Sequence, residues 1–244
     1  MILCSGTLGP IGFPAKAAAA AAAGFDGMSI YAHEYEPGLH SMLDDLGLSV
    51  AEVDGPMAWM PGQPGPEPER VIDIAAELGA RSCTVLELTL QPVDPAHAID
   101  AFGAVCDRAA TVGVGMHIEP FAWSGIATLG AAAAIVAGAG RTNGGIILDT
   151  WHHVRGPDAG VLDAAAAELI VAVQLSDPAP DPLLSLRDDC MRNRRWPGPV
   201  ARRVVEELRA LGRAVPLEVE TFTDGAEPLA RARAAAAACR ALLR

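Results

Sequence analysis

Short runs of apolar residues alternate along the chain with longer, alanine-rich runs of helical character. The apolar runs are Ile2–Gly6, Gly27–Tyr31, Leu48–Val53, Ser82–Leu88, Val114–Glu119, Gly145–Asp149, Leu169–Leu175 and Val215–Glu220. They are continuous rather than alternating, as strands buried on both faces should be. Between and after them the pattern predicts helices over Pro14–Ala23, Pro37–Leu46, Glu69–Leu78, Pro95–Val112, Thr128–Ala137, Asp158–Glu168, Val200–Leu211 and Pro228–Leu243. Several open on proline and stop at glycine (Gly24, Gly47, Gly79, Gly113, Gly212), the expected asymmetry of helix ends. Pro56–Pro68 and the polar stretch Ser176–Pro199 read as long loops.

Strand–helix alternation implies a parallel sheet with helices outside it. Eight such pairs, with no ninth element, favour closure into a single α/β (β/α)8 TIM barrel domain over residues 1–244. The length suits one such barrel, and an apolar content of 51% is enough for a large core. No glycine-rich phosphate fingerprint and no linker to a second domain is present.

Charge narrows the partners. The formal net charge is −12, the wrong sign for nonspecific nucleic-acid binding, so no nucleic-acid partner is expected. Residues 120–140 carry no charge, but they are mostly Ala and Gly and too weakly apolar to span a membrane. Five cysteines without a CxxC pair (Cys4, Cys83, Cys106, Cys190, Cys239) argue against a disulfide framework and fit a reducing, cytoplasmic setting. The N-terminus lacks the pattern of a secretory leader. A small-molecule substrate is the expected partner, and a homo-oligomer is left open.

Active sites of such barrels lie at the C-terminal ends of the strands. Four consecutive runs there deliver Glu119, Asp149, Gln174 and Glu220 to one rim. Oxygen donors of this kind suit one divalent cation, Mg²⁺ or Mn²⁺ first, with Co²⁺ or Zn²⁺ allowed. Three carboxylates brought together also call for a cation, since like charges resist joint ionisation. Glu218 shares a strand face with Glu220 and is the alternative ligand; Glu220 lies nearer the rim. Each residue alone has an ordinary reading, a solvated loop carboxylate or a packed histidine. It is the joint pattern on four successive strands that points to a site. His33 and Glu34 after the second run, and Glu87 on the fourth, are candidate rim groups for substrate. Trp59, Trp123 and Trp151 read first as packing and second as an apolar wall. The basic group Arg192, Arg194 and Arg195 reads either as a solvated face or as the partner of a substrate anion.

Leu148-Asp149-Thr150-Trp151-His152-His153 resembles the D-T-x-H stretch of the xylose-isomerase-like sugar phosphate isomerase/epimerase superfamily. His117-Ile118-Glu119-Pro120, Val173-Gln174-Leu175-Ser176-Asp177 and Val219-Glu220-Thr221-Phe222 are similar to its strands 5, 7 and 8, and Arg194-Arg195-Trp196-Pro197-Gly198 to an R-x-x-P-G motif. The resemblance implies a metal held by Glu119, Asp149, Gln174 and Glu220. It also implies substrate contacts from His152 and from Arg194 or Arg192. Two departures stand out. Gln174 replaces the histidine of many epimerases and looks like the 3-dehydroshikimate dehydratase branch. Pro197-Gly198-Pro199-Val200 lacks the glutamate of P-G-E-G.

The chemistry so implied is removal of a proton next to a carbonyl of a small polyhydroxy substrate. Glu119 and Glu220 would serve the two faces of a carbon in a sugar (phosphate) isomerase or epimerase. His152 would instead serve a dehydratase-type lyase. An endonuclease on a related barrel and a non-catalytic barrel are the remaining readings, and the acid balance weighs against the first of these.

Overall fold

The computed structural model describes residues 1–222 and 227–244. In chain order its elements are β1 (Ile2–Leu3), α1 (Phe13–Ala23), β2 (Gly27–Tyr31), α2 (Leu39–Leu46), β3 (Ser49–Asp54), α3 (Pro68–Glu77), β4 (Ser82–Val85), α4 (Pro95–Ala110), β5 (Gly115–Ile118), α5 (Leu129–Ala139) and β6 (Gly144–Asp149). There follow α6 (Thr150–Arg155), α7 (Ala164–Ala167), β7 (Ile170–Leu175), β8 (Asp177–Pro178), α8 (Leu186–Arg192), β9 (Arg194–Arg195), α9 (Pro199–Ala210), β10 (Leu217–Val219) and α10 (Pro228–Leu242). Eight parallel strands close in the order β1-β10-β7-β6-β5-β4-β3-β2, so the expected barrel is what forms.

The helices pack their small residues against the strands. In α1, Ala17 and Ala20 are fully buried, and in α10 so are Ala232, Ala235 and Ala236. Alanine runs give helix propensity at little side-chain entropy cost and allow close approach to the barrel.

Local structure departs from the sequence pattern in three places. The helix expected over Asp158–Glu168 shrinks to Ala164–Ala167, because Ala159 and Gly160 adopt positive φ and the chain turns there. In its place Asp149, at the end of β6, caps a new helix, its Oδ1 accepting the His152 amide at 2.9 Å and so starting α6 at once. The polar stretch after β7 is ordered as well. Asp177 accepts amides from Gly198, Val200 and Ala201 at 2.9–3.0 Å, which caps α9 and folds β8 against β9. Pro197-Gly198-Pro199 therefore makes a helix start here, without any glutamate.

The barrel axis is unusually polar. Glu52 of β3, Glu218 of β10 and Cys4 after β1 offer ligand atoms within 4.8 Å of one another; β3 and β10 are not neighbours, so Glu52 and Glu218 meet through the interior. Arg81 donates to Glu218 at 2.7 Å and to Glu52 at 3.4 Å. Such axes are ordinarily filled by branched aliphatic side chains. Here a charged layer lies beneath the strand ends where the candidate site sits.

Among the described residues no helix is long and apolar enough to cross a membrane.

Candidate active site

The site is assembled at the C-terminal rim. Glu119 follows β5, Asp149 ends β6, Gln174 lies in β7 and Glu220 follows β10. Register places Asp149 beside Gln174, and Gln174 beside Glu218. In-register neighbours of a parallel sheet share a face. Glu220 lines the rim cavity, whereas Glu218 lies below it with Arg81.

The cavity, of about 170 Å³, is bordered by Glu119, His152, Arg194 and Glu220 together with Tyr31 and Asp54. Phe121, Trp123 and Phe222 give it an aromatic wall. Trp123 lies 5.2 Å from the His152 ring, edge to face. Trp151 is completely buried behind them, under the Arg194 guanidinium. Trp59 lies elsewhere, its indole N–H donating to the Leu86 carbonyl at 2.7 Å.

Arg194 binds the cluster together. Its Nη1 donates to the Asp149 carboxylate, to Glu220 at 3.1 Å and to Ser176 Oγ at 3.3 Å. Its Nη2 lies 3.1 Å from His152 Nε2 and 3.0 Å from Cys190 Sγ. Burial opposes ionisation of Asp149, but Arg194 and the His152 amide outweigh it and hold the carboxyl below its usual range. Burial, reinforced by the neighbouring carboxylates, pushes Glu119 well up; burial also raises Glu220, against the pull of Arg194. The Cys190 thiol is pushed up to about 12 by burial and stays protonated.

His152 is 6% exposed, and burial pushes it down to about 3, so the ring is neutral at pH 7. The Ala122 amide faces Nδ1 at 3.3 Å and Arg194 faces Nε2 at 3.1 Å. A neutral ring accepts at one nitrogen only. The shorter contact to a charged donor favours Nε2, the atom 4.0 Å from Glu119 Oε1.

Gln174 is fully buried, with neither side-chain oxygen nor nitrogen hydrogen-bonded. Buried amides rarely stay unpaired without a function. With all three carboxyls ionised against one guanidinium, two negative charges would remain, which a divalent cation would balance and so favour their ionisation. With Gln174 in register beside Asp149 and its amide unpaired, these side chains supply oxygen donors that fit a hard dication. Glu119, Asp149 and His152 also offer ligand atoms within 4.8 Å of one another.

Other residues expected to touch substrate lie elsewhere. Glu87 does not line the cavity. It accepts from Gln63 at 3.0 Å, from the Thr89 amide at 2.7 Å and from the Gly125 amide at 2.5 Å, and so ties three loops together. Arg192 is exposed at the end of α8, outside the cavity lining. His33 stacks on Tyr31 with centroids 5.4 Å apart. It borders an adjoining outer cavity of about 540 Å³, which shares Tyr31 and Phe222 with the first, together with Lys16, whose Nζ donates to Glu34 at 2.6 Å. Tyr31 and Asp54 were missed in the sequence, although Asp54 closes its strand just as Asp149 does. Cys190 and Phe222 carry no local signal, since only the loop folds bring them in.

Known proteins resemble this chain over nearly its whole length. The family model of the xylose isomerase-like TIM barrel matches residues 17–242. A 3-dehydroshikimate dehydratase of Pseudomonas aeruginosa is 30% identical over 241 residues, covering 91% of this chain and 37% of that protein. The chain thus spans little more than a third of this relative's length. Among solved structures, a xylose isomerase-like TIM barrel/4-hydroxyphenylpyruvate dioxygenase fusion protein matches with a TM-score of 0.82 at 22% identity, over 99% of this chain and 42% of its own. The IOLI protein, solved with a zinc atom, gives 0.79 at 15% identity over 99% and 97%. An L-ribulose 3-epimerase gives 0.74 at 18% identity over 100% and 94%. At these identities the structural likeness is one of fold.

Proposed function

The chain belongs to the xylose isomerase-like TIM barrel family, and within it we propose that this protein is a metal-assisted lyase that dehydrates a cyclic hydroxy-ketone carboxylate of the 3-dehydroshikimate type. The observation that carries the reading is His152: a buried, neutral imidazole whose Nε2 faces the acidic cluster in a cavity walled by Phe121, Trp123 and Phe222. Flat aromatic walls suit a ring better than an open-chain polyol. The 30% identity to a dehydratase and the glutamine at position 174 support the same choice.

Glu119, Asp149, Gln174 and Glu220 would hold the cation, which when bound supplies Lewis-acid polarisation of the substrate carbonyl. His152 Nε2, released by Arg194 as the guanidinium turns to the substrate carboxylate, takes the proton from the carbon next to that carbonyl as the C–H bond breaks. The electron pair passes through the enolate and expels the β-hydroxyl, which takes the proton back from His152 and leaves as water; the dienone that remains becomes aromatic as a ring CH2 gives up a proton and the carbonyl oxygen gains one. Arg194 orients the imidazole and offers a substrate carboxylate its charge. The aromatic wall excludes bulk water around the enolate.

The test is incubation of the protein with 3-dehydroshikimate and Mn²⁺ or Mg²⁺, followed by ultraviolet absorbance. An aromatic product that needs His152 supports the reading. Solvent deuterium entering a ketose without loss of water, and surviving His152→Ala, would assign the site to an epimerase using Glu119 and Glu220 instead.

A further inference from the structure

The wall facing the acidic cluster has chemistry of its own. Around the closed barrel β3 lies four places from β7, and β2 four places from β6. Asp54 at the end of β3 and Tyr31 at the end of β2 therefore look across the cavity at the strands carrying Gln174 and Asp149. Asp54 is 5% exposed and borders the cavity. The cations bordering this cavity and its neighbour are engaged elsewhere, Arg194 with Asp149 and Glu220 and Lys16 with Glu34.

A buried carboxylate without a cation is stabilised by hydrogen-bond donors, and a substrate hydroxyl is one. A phosphate or carboxylate in the same place meets like charge, with Glu218 and Glu34 adding to the repulsion. Burial pushes Asp54 up to about 6, while the neighbouring Thr84 and Ser29 hydroxyls pull it down, so it is available as an acceptor in mildly alkaline buffer.

We propose that Asp54 is a specificity-determining residue of this site: its carboxylate accepts a hydrogen bond from a substrate hydroxyl on the side of the cavity that faces the strands of Gln174 and Asp149, so the group bound there is hydroxylated and not phosphorylated. This rests on the reading of the cavity as the substrate site. It adds what that reading leaves open, namely which functional group each wall accepts. Anionic substituents belong on the Arg194 side.

Isothermal titration at pH 8 with Mn²⁺ tests it with position 54 wild type, Asp54→Asn and Asp54→Ala, each in a His152→Ala background so that 3-dehydroshikimate binds without being dehydrated. The probes are 3-dehydroshikimate and its analogue lacking the ring hydroxyl not adjacent to the carbonyl, together with fructose, 6-deoxyfructose and fructose 6-phosphate. The protein with Asp54 in place should prefer the hydroxylated member of a pair by about tenfold or more, and Asp54→Ala should bring that ratio to within about twofold of unity. Asp54→Asn, which keeps an acceptor oxygen, should retain part of the preference. Thermal unfolding checks that both variants fold, and Asp54→Asn carries the comparison if the alanine variant does not.

An unchanged ratio in the folded variants, equal binding of the phosphorylated probe, or no binding of any probe with Asp54 in place overturns the proposal. Discrimination that depends on Asp54 without dehydration of 3-dehydroshikimate by the wild-type protein would leave the proposal standing and remove the lyase reading.

Discussion

Arg194 and Asp149 form a buried ion pair across the loop that follows β7, their side chains 1% and 0% exposed. The two residues are far apart in sequence, yet each is enclosed by the other's partners: Glu220 and Ser176 on the arginine, the His152 amide on the aspartate. Removing one partner strands a charge in a low-dielectric interior. Arg194→Met should therefore cost about 3–5 kcal/mol of folding stability in metal-free buffer, read from urea unfolding. A loss below about 1 kcal/mol would mean that solvent screens the pair.

His152 should separate chemistry from binding. Replacing it with alanine removes the proposed base but none of the four proposed oxygen donors. Turnover should fall by about 10²–10⁴-fold, while Mn²⁺ affinity by titration stays close to that of the wild type. Parallel losses in both would place His152 among the metal ligands.

Removal of the divalent cation by a chelator should abolish turnover and lower the melting temperature. At a free cation concentration of about 100 times Kd, linkage predicts roughly 2.7 kcal/mol of added stability. Gln174→Ala should shrink this increment by weakening cation binding. A thermal shift identical in the variant and the wild type would remove Gln174 from the donor set.

Glu87 acts through the loops. Glu87→Ala strands the Gln63 side chain and the Thr89 and Gly125 amides, and should cost about 2 kcal/mol in stability. Differential scanning calorimetry reads the effect. Since Glu87 does not line the cavity, KM should change less than the melting temperature implies.

Acid should weaken the fold partly through His117 and His152, both pushed down to about 3 by burial. An unfolded histidine takes a proton near pH 6.5, so between about 6.5 and 3 the unfolded chain binds more protons than the folded one. Their stabilising contribution is complete above pH 6.5 and is lost as the pH falls through that window. The buried carboxyls Glu119, Glu220 and Glu52, held high, act in the opposite sense. Comparison with a variant isolates the histidine share: His117→Gln should reduce the loss between pH 7 and 4.5 by roughly 2–3 kcal/mol. An unchanged slope would mean that His117 keeps an ordinary pKa.

Much of the fold was legible because its signals are local. Continuous apolar runs, alanine-rich helices and glycine stops each act over a few residues, and their alternation leaves few ways to bury every strand. The rim positions of Glu119, Asp149, Gln174 and Glu220 followed from the same regularity, since the ends of adjacent parallel strands lie side by side. Gly160 and the capping role of Asp149 redrew the segment after β6, and neither alters the apolar period that a reading of the chain relies on.

By itself, then, the sequence determined the barrel and the strand ends that bear the acidic side chains. Tertiary structure alone decided which polar residues share a cavity. Arg194 reaches Asp149 because Asp177 folds the intervening loop onto α9, while Arg192, two residues away, is left in solvent. Glu87 is consumed by its own loops, and Asp54 faces the cluster because closure of the sheet sets β3 opposite β7. Contacts of this kind depend on ring closure and loop capping between segments distant in the chain, and no periodicity within one segment encodes them.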